Sequence, residues 1–139
     1  MDKRILPNDV LLEEVAALLA EGREVIFRPK GNSMLPVIRG DRDSVVLRKF
    51  PSVSVGDILL VRLGGHYVLH RLVSREGERL VLQGDGNLRG TERCTEADVL
   101  GTVVAIENEN GRRRRPGKGR IWRAFGPFRR IFLAIYRRI

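Results

Sequence analysis

Apolar positions recur at helical spacing in one early stretch. Over residues 9–21, Leu11, Leu12, Val15, Leu18 and Leu19 follow i, i+3, i+4 steps, while Glu13, Glu14 and Glu21 fall off that stripe. The spacing predicts an amphipathic helix, with Asn8 or Asp9 as its N-cap and Gly22 as the residue that stops it. From Val25 onward the pattern shortens to strand-length apolar runs broken by turn formers. Strands are predicted over 24–27, 44–47, 58–63, 66–73, 79–82 and 99–106. Gly64-Gly65 reads as a two-residue hairpin turn, because glycine reaches positive φ without steric cost. Gly40-Asp41, Glu76-Gly77 and Gly84-Asp85-Gly86-Asn87 read as further turns, and Pro51 to Gly56 as a connector. The expected fold is mainly β, with one leading helix.

Beyond residue 107 the pattern changes twice. Residues 108–119 hold Asn-Glu-Asn-Gly, then Arg112 to Arg115, then Pro-Gly-Lys-Gly, and read as an irregular basic linker. Residues 120–139 are amphipathic at about 100° per residue. Ile121, Phe125, Phe128, Phe132, Ile135 and Ile139 fall on one face, with arginines on the flanks and far side. A C-terminal amphipathic helix is predicted there, kinked or restarted at Pro127. The expected organisation is therefore an N-terminal helical segment over 1–24, a β domain over 25–107, the linker over 108–119 and the helix over 120–139.

Charge sharpens that division. The 139 residues carry a net +9. Residues 1–110 hold 15 Lys and Arg against 17 Asp and Glu, which is 15 − 17 = −2, whereas residues 111–139 hold 11 Lys and Arg and no acid. The basic character belongs to the tail, so a nucleic-acid surface over the folded part is not indicated. The single helix before the strands also falls short of a helix-turn-helix, which needs two. Cys94 is the one cysteine, so no internal disulfide forms. His66 and His70 are the only histidines, and neither a metal nor another cofactor is expected. No signal peptide and no run of about 20 apolar residues is visible. The expectation is a cytoplasmic protein or one held peripherally at a membrane.

The stretch Lys30-Gly31-Asn32-Ser33-Met34-Leu35-Pro36 is the candidate for chemistry. It sets a serine between turn formers, with strand-like segments on both sides. A nucleophilic serine is commonly presented in that way, and an ordinary loop serine looks the same.

Context separates the two. Gly-Asn-Ser33-Met-Leu-Pro, Gly40-Asp41, Gly56-Asp57-Ile58, His70-Arg71 and Gly84-Asp85-Gly86-Asn87, in that order, resemble the signal peptidase I and LexA-type self-cleaving repressor superfamily. The resemblance covers roughly residues 25–106. It implies a serine peptidase domain of coiled β-sheets, a β-ribbon fold, with Ser33 as the nucleophile. In bacterial signal peptidases and in the repressors a lysine base lies in the strand where this chain has His70. No lysine occurs between Lys49 and Lys118. The His-Arg pair resembles instead the archaeal and endoplasmic-reticulum signal peptidases, which use a serine and a histidine. Histidine suits proton transfer near neutrality, its reference pKa being about 6.5. A third group normally orients the imidazole. Asp85 is the first candidate for it and Asp98 the second. The backbone N–H of Ser33 is the expected oxyanion donor. Many signal peptidases add a serine hydroxyl two residues earlier, and here that position is Gly31. Met34 is expected to pack beside the nucleophile and to line a substrate pocket.

Each residue also has a plainer reading. His70 shares a strand face with Val68 and Leu72 and could be an ordinary hydrogen-bonded strand histidine. Asp41 and Asp57 fit turn residues whose carboxylates bond nearby N–H groups. Arg71 faces away from His70 and fits a solvated or ion-paired side chain. The expected partner is a peptide or protein substrate, extended so as to add as a strand to a sheet edge, with small side chains next to the cut implied by the resemblance. Two alternatives stand beside the peptidase: a self-cleaving or inactive LexA-like regulatory module, and a peptide-binding module that keeps the fold. Missing DNA-binding helices, the missing lysine and the lack of an Ala-Gly or Cys-Gly pair before Ser33 count against the first. Residues 120–139 have three readings: lying on an anionic membrane surface, docking on the β domain or another subunit, or ordering on a partner. The oligomeric state is left open.

Overall fold

In the computed structural model, residues 3–5, 9–31, 34–86 and 90–117 are described, with side chains from residue 12 onward. The helix predicted over 120–139 lies outside them. Among the described residues no helix is long and apolar enough to cross a membrane.

Helix α1 spans Asp9–Ala20. Its stop is a Schellman turn: Gly22 N–H bonds Leu19 O at 3.0 Å, and Arg23 N–H bonds Leu18 O at 3.1 Å. Gly22 sits at φ +85°, which explains why glycine stands there. Val15 and Leu19 are buried against the sheet. Gly101 in the sheet admits that contact, since a Cβ there would lie 2.9 Å from Leu19 Cδ1.

Among the described residues nine strands form one sheet: β1 Lys3–Ile5, β2 Val25–Arg28, β3 Ser44–Arg48, β4 Ile58–Leu63, β5 His66–Glu76, β6 Arg79–Gln83, β7 Glu92–Thr95, β8 Val99–Glu107 and β9 Arg113–Arg114. Their order is β1-β2-β3-β8-β4-β5-β6-β7, with β9 also on β8. β1 runs parallel to β2, and the other pairings are antiparallel. The six predicted strands are present. β1, β7 and β9 were not predicted. β9 corrects the reading of 108–119 as irregular, because the Asn108–Gly111 turn folds Arg113 and Arg114 back onto Glu107 and Ile106.

The sheet buries both faces of β4. Ile58 and Leu60 join a core with α1, Val45 and Val103, while Leu59 and Val61 join another with Leu72, Leu80 and Leu82. This two-sided burial accounts for an apolar run without alternation. β8 is the shared element. It pairs with β3 along one side, and with β4 and then β9 along the other.

Candidate active site

β5 changes its neighbours part-way along. His66 to Arg71 pair with β4, whereas pairing with β6 starts at Arg71–Gln83. Among the described residues, His66 to His70 therefore have a strand on one side only. This open margin runs straight into His70.

His70 lies opposite Leu59, on the face that carries Leu72. It is buried, and its Nδ1 makes a close contact with the Glu92 carboxylate. Glu92 begins β7 and sits opposite Leu82, which in turn sits opposite Leu72. Its side chain reaches diagonally past the end of β6. A carboxylate on Nδ1 favours the tautomer with the proton there and leaves Nε2 as the free base. Nε2 has no hydrogen-bond partner among the described residues.

Asp85 was the expected orienting carboxylate, and the fold uses it differently. It accepts from Arg71, Nε to Oδ1 at 2.8 Å and Nη2 to Oδ2 at 2.7 Å. Arg71 is 0% exposed and Asp85 4% exposed, so the pair is fully desolvated. Arg71 Nη1 also donates to Gly56 O at 2.7 Å and Gly117 O at 3.0 Å. The reason is the strand period. Side chains alternate, so Arg71 points to the face opposite His70, and Asp85 follows Arg71. Of the two sequence readings of Arg71, the ion-paired one holds and the solvated one does not. Asp98, the second candidate, is engaged elsewhere: it accepts from Thr95 N–H at 2.9 Å and caps the 3₁₀ turn Glu96–Asp98.

Ser33, with the backbone N–H expected to form the oxyanion hole, lies outside the described residues. The loop around it is closed at its base. Asp41 N–H bonds Pro29 O at 2.8 Å. A Cβ on Gly40 would lie 1.8 Å from Gly31 O, so the two backbones touch where only glycine fits. Met34 is 4% exposed and belongs to the core; its sulfur accepts the Asp85 N–H at 3.3 Å. It thereby ties the serine loop to the Gly84–Gly86 loop, on the Arg71 side of β5. Asp57 behaves as a turn residue, with its carboxylate on Ser54 N–H at 2.9 Å. His66 is exposed beside the hairpin turn. Among the described residues no cluster of His, Cys, Asp or Glu could hold a metal ion.

The model of the Peptidase S24-like family matches residues 6–104, from the segment before α1 into β8. The chain belongs to that family. No curated protein matches it. The matched region contains His70, Arg71, Asp85 and Glu92, and it stops short of β9, Gly117 and the basic tail.

Glu92 is the site residue that the sequence reading missed. No strand was predicted between residues 83 and 99, so Glu92 had no register. The run Glu92-Arg93-Cys94-Thr95 carries one apolar residue, too few for a strand period to show.

Proposed function

We propose that this S24-like domain is a serine endopeptidase in which Ser33 is the nucleophile, His70 the base and Glu92 the group that orients His70. The observation that carries the reading is the His70–Glu92 pair at the end of the open margin of β5. An extended peptide added along His66 to His70 gains backbone hydrogen bonds and brings one carbonyl beside the histidine. Ser33 Oγ then attacks that carbonyl while His70 Nε2 takes its proton. The tetrahedral oxyanion is held by the Ser33 N–H. Collapse breaks the C–N bond, His70 returns the proton to the leaving amine, and water hydrolyses the acyl-enzyme by the same exchange.

The absence of a lysine between Lys49 and Lys118 supports a serine–histidine pair over a serine–lysine one. A signal-peptidase-like preference for small side chains beside the cut follows from the resemblance to signal peptidases.

The test is labelling with a serine-reactive phosphonate, read by mass spectrometry on wild type, Ser33→Ala and His70→Ala. An adduct on Ser33 that vanishes in both variants is the expected result. A folded wild-type protein that stays unlabelled, with and without liposomes, would instead leave a peptide-binding module.

A further inference from the structure

Residues 112–117 lie beyond the S24-like match, yet they are fastened to the folded part at successive points. The Asn108–Gly111 turn begins the return. The Asn108 side-chain oxygen accepts Asn110 N–H and Arg112 N–H, both at 2.9 Å, and Gly111 sits at φ +80°. β9 then pairs with the end of β8, and Arg113 meets the Glu107 carboxylate at 3.1 Å. Next, Arg114 Nη2 donates to Val37 O and lies 3.9 Å from the Asp43 carboxylate. Finally, the Gly117 carbonyl accepts from Arg71 Nη1, which also serves Gly56 O.

The last two fastenings fall on the two halves of the candidate site. Val37 stands four residues after Ser33, on the arm 34–43 that leads from the serine to β3. No residue of that arm is in a strand, so no ladder fixes it. Its internal bonds are Ile38 N–H on Met34 O at 2.9 Å and Arg39 N–H on the buried Asp43 carboxylate at 2.8 Å. Arg71 follows His70 on β5, and its partner Asp85 gives its N–H to the Met34 sulfur. Arg114 thus grips the serine arm, and three residues later the same segment closes over the guanidinium beside the base. An arginine contact as exposed as that of Arg114 adds little to overall stability. Its effect lies in where it holds the chain.

We infer that residues 112–117 are a strap that sets the Ser33 arm against the His70 strand, with Arg114 as a positioning residue for the nucleophile. The catalytic consequence rests on the serine–histidine reading above, whereas the hold on the arm does not.

Amide hydrogen exchange and phosphonate labelling of Ser33 are measured on the full chain as wild type, Arg114→Met, Arg114→Lys and Gly111→Val. Arg114→Met keeps the aliphatic stem and loses the donor and the charge. Amides of 34–43 should then exchange about tenfold faster or more, with those of β4 at the wild-type rate. Labelling should fall by about tenfold, since a small displacement of a nucleophile is costly, while the melting temperature changes little. Arg114→Lys keeps a donor and the charge and should recover most of both signals. Gly111→Val strains the turn at positive φ and should reproduce Arg114→Met with Arg114 intact. Unchanged exchange of 34–43 in Arg114→Met overturns the strap. Faster exchange across the whole sheet, equal losses in the Met and Lys variants, or labelling at the wild-type rate despite a loosened arm overturns the positioning role. A wild-type chain that takes no label defeats the peptidase reading instead, and the exchange data still decide whether the strap holds the arm.

Discussion

Arg71 and Asp85 form a two-pronged ion pair in which both side chains are buried. Such a pair gains little over apolar residues of the same size, yet removing one partner strands the other as a buried charge. Asp85→Ala is therefore expected to destabilise the protein by about 3–5 kcal/mol. Among the described residues Arg71 would retain the two carbonyls at Gly56 and Gly117. Urea denaturation checks this. A loss below about 1 kcal/mol, the range of an exposed pair, would mean that the pair is open to water in solution.

Glu92 calls for the opposite pattern. Its side chain is partly exposed, and its described contact is with His70. Glu92→Gln keeps the shape and removes the charge, so melting should change little while kcat/KM on a cleavable peptide falls by about a hundredfold, less than for a fully buried triad carboxylate. Paired measurements on Asp85→Ala and Glu92→Gln then separate the residue that holds the fold from the one that orients the base. Unaltered turnover in Glu92→Gln would remove Glu92 from the mechanism.

Gly40 is a backbone contact in disguise. An added methyl would fall 1.8 Å from Gly31 O, which cannot turn away as a side chain could. Gly40→Ala should force the base of the serine loop apart, lowering phosphonate labelling of Ser33 by about tenfold or more, since small displacements of a nucleophile are costly. Far-ultraviolet circular dichroism should still report the sheet, because Gly40 lies in none of its strands. Labelling at the wild-type rate would show that the loop absorbs the strain.

Burial, followed by the nearby charges of Asp98 and Glu92, raises the Cys94 thiol from its ordinary value near 9 to about 11. Two outcomes follow. Alkylation by iodoacetamide at pH 8 should be slow in the native protein and fast after unfolding, because the thiolate is the nucleophile. Stability should also fall with pH. The folded state keeps the proton longer than the unfolded chain, so the contribution is complete below pH 9 and is lost as pH rises toward 11. Cys94→Ala should flatten that slope relative to wild type in urea titrations across the same window.

Much of this molecule is written in local pattern. Gly22 stops α1 because a Schellman turn needs a positive φ, and Gly64 turns β4 into β5 for a related reason. The run Ile58–Val61 announced a strand, and its two-sided burial explains why it lacked alternation. β1 and β9 carry too few residues for a period to register, three and two. β7 was hidden by charge, since Glu92 and Arg93 make half of it look like loop. The candidate site inherits that gap. His70 was legible from its motif. Its carboxylate partner depends on the register of three strands, β5, β6 and β7, which no spacing in the chain reveals. The Asp85 loop follows the strand after His70 and does fold back on β5, but the alternation of β5 directs Arg71, and not His70, toward it.

The position of β8 has a consequence for how the chain is made. β3 and β4 are not paired with each other; each takes β8 as a neighbour, and β8 is synthesised after both. From Leu63 to Val99 a ribosome needs about 2–7 s at typical elongation rates. Through that interval the inner edges of two strongly apolar strands stay unpaired. The nascent chain is then a template for stray strand addition, and it becomes a closed sheet only when Val99–Glu107 arrives.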